Sequence, residues 1–240
     1  MRKNQGGCPG FTQFVVELAR LHLSGILTTD DEQENKEDEV MSAITWMPAV
    51  EVESRNGIRE VSLYTRHFMK RRVFLNGEIN RQMADDIVSQ LLYLQEDSEE
   101  PIFIYINSGG GEVNAGLYIY DIIQSLTVPV YIYCTGMAAS MAAIILAGGQ
   151  PGRRFILPHS KTMIHEPLLA GGVSGSATSI HNISQSILET RAITNGILAK
   201  HTGKTREEID KATAFDNYMN AESTVEFGLC DKVVTSLTEV

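Results

Sequence analysis

Val128-Pro129-Val130-Tyr131-Ile132-Tyr133-Cys134-Thr135-Gly136-Met137-Ala138-Ala139-Ser140-Met141 is the stretch whose reading decides the fold. From Val128 to Cys134 the run is apolar almost throughout, so it reads as a strand buried on both faces. Such strands belong to parallel sheets rather than to half-solvated antiparallel ones. The second half sets one serine among Gly136, Ala138 and Ala139, and the small residues beyond predict a helix over about 138–147. A serine at a strand-to-helix turn lies next to free helix amides, which favour negative charge.

Outward from this stretch the alternation repeats. Upstream, Val73-Phe74-Leu75 reads as a strand, and Asn80 can cap a helix carrying Met83, Ile87, Leu91 and Leu94. Ile102 to Ile106 is another β-prone run. A glycine-rich turn, Asn107-Ser108-Gly109-Gly110-Gly111, then leads to a helix with Val113, Ile119, Ile122 and Ile123. Strands alternating with helices predict an α/β domain with a parallel sheet covered on both faces. Downstream, Met163-Ile164-His165-Glu166-Pro167 puts a histidine at the end of a short apolar run. The glycine-rich segment from Leu168 to Ser176 comes next, with Leu169 to Ser174 expected as an extended strand. A long helix with Ile180, Ile183, Ile187, Ile193 and Ile197 in a stripe follows. That helix has little chain left to bury it and reads as an assembly surface. Thr205 and Glu208 form a capping box for the next helix, and Asn220 can cap a last one ending at Gly228.

Composition narrows the function. The 240 residues contain 43% hydrophobic side chains, enough for a sizeable core, and carry a formal net charge of −10. Nucleic acid is therefore not an expected partner, since phosphate binding wants a basic stripe. Cys8, Cys134 and Cys230 show neither a disulfide framework nor metal-ligand spacing, so no metal is expected. No run reaches membrane-span length, and the apolar stretch from Phe11 to Leu27 is broken by Glu17, Arg20 and His22. A cytoplasmic protein is expected. Residues 1–45 read as a separate extension: a short amphipathic helix from Phe11 to Leu21, then an acidic run from Asp30 to Glu39. It is either a disordered leader, a removable propeptide or a docking helix.

A hydroxyl is a poor nucleophile at neutral pH unless a base takes its proton. Ser140 and His165, each more often structural when alone, together propose acyl transfer with a serine nucleophile. The orienting acid is read as Asp216, in the loop Ala214-Phe215-Asp216-Asn217-Tyr218; Asp210 and Asp231 are rivals that spacing leaves open. The Met141 amide is one natural oxyanion donor, and the Gly109–Gly111 loop can supply a second.

Taken in order, these residues resemble the Clp protease proteolytic subunit family, the caseinolytic serine peptidases. The motifs that carry the resemblance are Trp46-Met47-Pro48 leading to Gly57, Tyr105-Ile106-Asn107-Ser108, Gly136 through Met141, Met163-Ile164-His165, and Ala221-Glu222 through Gly228-Leu229. The resemblance implies a crotonase-like α/β core over residues 46–235, with a protruding handle of helix and strand over about 166–203 and a tail at 236–240. It implies Ser140 as nucleophile, His165 as base, Asp216 as orienting acid, and Gly111 and Met141 as oxyanion donors. Gly110 and Leu169 would pair with the substrate backbone. Two stacked heptameric rings would enclose the sites. An AAA+ unfoldase, docking near Phe103 and Tyr105, would use the ATP and feed unfolded protein in, so no cofactor is expected in this chain. Gly109 stands where the family usually has proline, Ala142 where it has glycine, and Glu166 where it has glutamine. These departures leave room for a catalytically weak accessory ring subunit. A crotonase-type acyl-CoA enzyme is the competing class, because paired backbone amides suit its chemistry too.

Overall fold

A computed structural model of the chain describes residues 48–54, 57–169, 172 and 174–237. The expected helix at 11–21, the acidic run and Trp46 lie outside the described residues. The chain divides into two compact units, 1–66 and 67–240. In the first, β1 (Ala49–Ser54) and β2 (Gly57–Ser62) form an antiparallel pair, with Val52 opposite Arg59. A short helix, α1 (Leu63–Phe68), follows.

The second unit is the α/β body. Its chain order is β3 (Arg72–Ile79), α2 (Arg81–Asp97), β4 (Ile102–Gly111), α3 (Val113–Ser125), β5 (Val130–Ala139), α4 (Met141–Ala147), β6 (Arg154–Ile156) and β7 (Lys161–Ile164). Then come α5 (Ala177–Thr202), α6 (Arg206–Ala212), β8 (Asn217–Met219), α7 (Ala221–Phe227) and β9 (Lys232–Val233). The sheet runs β3-β4-β5-β6-β9, with β7 also pairing β5 and β8 pairing β7. All pairs are parallel except β7 with β8. This mostly parallel α/β architecture agrees with the crotonase-like core that the sequence resemblance implies.

Each strand divides its two faces by residue type. Val73, Leu75, Ile102, Ile104, Ile106, Val130, Ile132 and Cys134 join the main core with the buried faces of α2, α3 and α4. Their neighbours along the strands form the second face, an aromatic ladder. Phe74 stacks on Tyr105 at 5.3 Å, Tyr105 on Tyr133 at 5.4 Å and Tyr133 on Phe155 at 5.1 Å. The sequence predicts a sheet covered on both faces, without saying by what. The helices contribute their buried residues to the aliphatic core, and on the ladder face aromatic rings cover one another. Such pairs add about 0.5–1.5 kcal/mol each beyond the area they bury. Burial also pushes the Tyr133 hydroxyl up to about 12, helped by its Tyr105 and Tyr131 neighbours.

Strand β5 forks the sheet. Its first half pairs with β6 through Ile132, Tyr133 and Cys134, and its second half pairs with β7 through Met137, Ala138 and Ala139. At the fork, β5 gains two residues on β4, since Ile106 pairs Cys134 but Ser108 pairs Ala138. Asn107 fills the bulge, its Oδ1 accepting from the Met137 amide at 3.2 Å. A side chain at Gly136 would sit on that amide oxygen, so this bulge needs glycine. Two sequence expectations shift as a result. Asn107–Gly111 is the end of β4 rather than a turn, and the helix starts at Met141 rather than near Ala138 because Ala138 and Ala139 still pair with β7.

Long helix α5 and capped helices α6 and α7 form as their sequence signals require. Both halves of the Thr205–Glu208 capping box are present, and Asn220 accepts from the Ser223 amide. Arg154, 7% exposed, ties three of the helices together. Its Nη1 donates to the carbonyls of Ala147, His201 and Gly228, at the C-terminal ends of α4, α5 and α7. Cations are favoured where helix dipoles end. Its remaining nitrogens meet Asp231, with Nη2 to Oδ1 at 2.6 Å and Nε to Oδ2 at 3.1 Å. Among the described residues, no helix is long and apolar enough to cross a membrane.

Truncating one member of a buried pair leaves the other charge uncompensated. Arg154→Ala is therefore expected to cost about 3–5 kcal/mol, read as a lower urea midpoint. His201 gives a separate pH test. Burial, with the nearby Lys200 and Arg154 charges, holds its imidazole down to about 4, and its Nε2 shares a 2.8 Å hydrogen bond with the Tyr120 hydroxyl. The unfolded chain then binds the extra proton between pH 6.5 and about 4, so stability falls as pH drops through that window. His201→Gln is expected to flatten this part of the thermal-midpoint profile.

Candidate active site

The C-terminal ends of β4, β5 and β7 and the start of antiparallel β8 come to the same level, and residues there form the site. Ser108 pairs Ala138, so two residues on Gly110 lies beside Ser140. Ala139 pairs Met163 and the Ser140 amide donates to the Met163 carbonyl at 2.8 Å, which brings β7's exit next to Ser140. Antiparallel β7 and β8 pair Ile164 with Asn217; one step further sets His165 opposite Asp216. The Glu166 amide donates to the Thr213 carbonyl at 2.8 Å and holds the two segments together past the ladder.

The side chains complete the line. Ser140 Oγ lies 2.9 Å from His165 Nε2, and His165 Nδ1 lies 2.9 Å from Asp216 Oδ1. An ionised carboxylate can only accept, so Nδ1 carries the hydrogen and Nε2 of the neutral ring is left to accept from the serine hydroxyl. The His165 side chain is 15% exposed and that of Asp216 58%. Ser140 has φ 53° and ψ −122°, and it is one of two non-glycine residues with positive φ among those described. Sharp strand-to-helix turns of this kind lift a side chain clear of the sheet. The Ser140 carbonyl accepts from the Ala143 and Ile144 amides, opening α4 and leaving the first-turn amides facing outward along the helix axis.

The remaining predicted residues divide. Met141 is buried and begins α4, directly after the serine. Gly110 and Gly111 end β4 with φ of 93° and 153°. The Gly110 amide already donates to Ser108 Oγ at 3.0 Å, so it is committed within the chain. Leu169 is half-exposed but lies in no strand; the expected extended strand over 169–174 is not formed among its described residues, and 170, 171 and 173 lie outside them. Tyr105 is buried in the aromatic ladder and Phe103 stacks on Tyr131 at 5.5 Å. Both rival acids are engaged elsewhere. Asp210 accepts from Asn195 Nδ2 at 2.6 Å, a bond that, with Arg206 and Arg191, holds its carboxyl below the usual range. Asp231 belongs to Arg154; burial pushes its pKa up, but the Arg154 hydrogen bonds and charge outweigh burial and leave it low.

Sequence reasoning missed the ion pair between Glu166 Oε2 and Arg191 Nε at 3.2 Å. The charge at Glu166 was visible, but nothing in the isoleucine stripe of α5 marks Arg191 as its partner. Among the described residues, no group of three or more His, Cys, Asp or Glu side chains could hold a metal.

A hydroxyl, an imidazole and a carboxylate hydrogen-bonded in series, at the end of a parallel sheet, are the parts of a serine hydrolase. The Clp protease family model matches residues 54–237, more than three quarters of the chain, and the chain belongs to the Clp protease family. It is a peptidase of the Clp type, and membership implies oligomeric assembly with an unfoldase partner.

Crowding beside the serine makes Gly110 testable. A Cβ there would lie 2.7 Å from both Ser140 Cβ and the Ala139 carbonyl oxygen, at a backbone φ that L side chains rarely adopt. Gly110→Ala is expected to lower stability by about 1–3 kcal/mol in chemical denaturation. It should also break the Ser140–His165 hydrogen bond in a crystal structure of the variant.

Proposed function

We propose that this chain is the proteolytic subunit of an ATP-dependent Clp protease, a serine endopeptidase that cuts unfolded polypeptides into short peptides inside a closed chamber. The observation that carries the reading is the pair of 2.9 Å hydrogen bonds linking Ser140, His165 and Asp216. Ser140 Oγ attacks the scissile carbonyl carbon as its proton passes to His165 Nε2. Asp216 holds the ring in the right tautomer and stabilises the imidazolium without taking the proton. The amides of Gly111 and Met141 receive the charge on the carbonyl oxygen, in a setting where oriented dipoles act at little reorganisation cost. His165 then protonates the leaving amine. A water molecule, deprotonated by the same imidazole, releases the acyl group. No cofactor enters either half of the cycle; ATP is used by the AAA+ partner.

Assembly follows from the surface of α5. Of its 26 residues only Thr194, Asn195 and Leu198 are buried, and Ile180, Leu188 and Ile193 are 45%, 50% and 52% exposed. Apolar side chains set along an otherwise uncovered helix suit burial against another subunit. Two heptameric rings joined through these helices would sequester the sites from folded cytoplasmic proteins. The half-buried edge of the aromatic ladder near Phe103 is the proposed seat of an unfoldase loop. An extended substrate would lie along Leu169 and the end of β4, held by backbone hydrogen bonds. The Ser140–His165–Asp216 relay favours peptidase over acyl-CoA chemistry, which has no use for it.

Ser140→Ala and His165→Ala are each expected to lower kcat/KM on a fluorogenic peptide by a factor on the order of 10⁴ or more. The assembled mass in light scattering should not change. Asp216→Ala should lose about ten- to a hundred-fold less. Peptide cleavage retained at the wild-type rate in Ser140→Ala would remove the assignment.

A further inference from the structure

The segments that carry His165 and Asp216 meet at the edge of the sheet, beyond the last ladder pair. There a closed circuit of polar contacts holds them. Glu166, directly after the histidine, reaches Arg191 on α5 at 3.2 Å. Arg191 Nη2 lies 3.9 Å from Asp210 Oδ1 on α6. Asp210 also accepts from Asn195 Nδ2 at 2.6 Å and faces Arg206 Nε at 3.4 Å. The same Asn195 nitrogen donates to Thr213 Oγ1 at 3.1 Å, and the Thr213 carbonyl accepts from the Glu166 amide at 2.8 Å. The circuit therefore returns to its starting residue. Asn195 is fully buried beneath it, which makes its two bonds costly to leave unmade.

The strand pairing alone fixes this corner poorly. β7 has four residues and β8 three, and the final register pair is Ile164 with Asn217. The carboxylate of Asp216 is more than half exposed, and among the described residues its hydrogen-bond partner is the histidine itself. Whatever keeps the imidazole between the serine and that acid must act on the backbone of 165–166 and 213–216. The circuit grips both: Glu166 from the histidine side, Thr213 from the acid side, and α5 and α6 as the rigid supports.

We propose that Glu166 and Arg191 are positioning residues for the Ser140–His165–Asp216 relay, with Asp210 and Asn195 fixing Arg191 in turn. The inference rests on the serine-peptidase reading but concerns a different set of side chains. Neither Glu166 nor Arg191 touches Ser140 or the reacting bond; they act by holding the His165 exit against the acid loop. A misplacement of about 1 Å at a reacting group can cost on the order of a hundredfold in rate. The ion pair is partly exposed, at 31% for Arg191 and 41% for Glu166. Its direct contribution to stability is therefore small, and its effect should appear in turnover rather than in folding.

The test compares the assembled wild-type enzyme with Arg191→Gln, Glu166→Gln and the conservative Arg191→Lys. Three quantities are read: kcat and KM on a fluorogenic peptide, the rate of fluorophosphonate labelling, and deuterium exchange at the Glu166 amide, with the Ser140 amide as internal reference. The Gln variants are expected to lose about tenfold or more in kcat and in labelling rate, with KM within twofold and the thermal midpoint within about 2 °C. Exchange at the Glu166 amide should rise about tenfold while the Ser140 amide keeps its protection. Arg191→Lys should recover most of the loss. Unchanged kcat, labelling and Glu166 exchange in both Gln variants would overturn the proposal, as would a fall in kcat accompanied by equal loosening of the Ser140 amide. A wild-type enzyme that fails to label at Ser140 removes the peptidase reading instead; faster Glu166 exchange in the Gln variants would then still establish the clamp.

Discussion

The registration of β5 against β7 is the constraint on which the rest of the site depends. Side chains alternate along a strand, so a slip by one residue would turn Ser140 to the opposite face from His165. The hydrogen bond from the Ser140 amide to the Met163 carbonyl fixes that registration at the point where it matters. Asn107 secures the same strand from the other side, by taking up the two surplus residues of β5 before the pairing with β7 begins. Once the register is set, the line from Gly110 through Ser140 and His165 to Asp216 follows from topology. Gly110 is in the last two residues of β4, Ser140 and His165 directly follow β5 and β7, and Asp216 directly precedes β8.

The two halves of the α/β body are held by different physics. The aliphatic face is secured by area removed from water, as helices α2, α3 and α4 cover isoleucines and valines of β3, β4 and β5. The far end relies on a single buried guanidinium. Arg154 donates to three helix-end carbonyls and Asp231 neutralises its charge, so desolvation is offset by five hydrogen bonds from one side chain. The corner that carries His165 and Asp216 is tied by the Glu166–Arg191 ion pair and by the hydrogen bonds of Asn195.

Much of this was legible in the sequence where a local signal coincides with a structural need. Asn80, Thr205 and Asn220 cap helices because their side chains satisfy amides that the helix cannot. The apolar strands announced a parallel sheet. They did not announce that aromatic and aliphatic residues sort onto opposite faces, since an all-apolar run has no visible period. Ser140 and His165 stood out because each ends an apolar run. The loop position of Asp216 favours it over Asp210 and Asp231, and the partners of those two, Asn195 and Arg154, are long-range contacts that no spacing reveals. β8 escaped notice because three residues are too few to show a period. The late start of α4 escaped too, because alanines suit a helix equally well until a neighbouring strand claims them.

Ser140 holds a backbone geometry that L residues avoid, with φ at 53°. Conformations of this kind cost on the order of 1–3 kcal/mol and persist only where the surroundings over-determine them. Here the β7 carbonyl, the β4 glycine and the first turn of α4 together do so. A glycine at this position would relax the chain, at the cost of the hydroxyl that the proposed mechanism needs. The folded state is thus kept some way above its own attainable minimum, and the difference resides at the residue that carries the hydroxyl of the proposed relay.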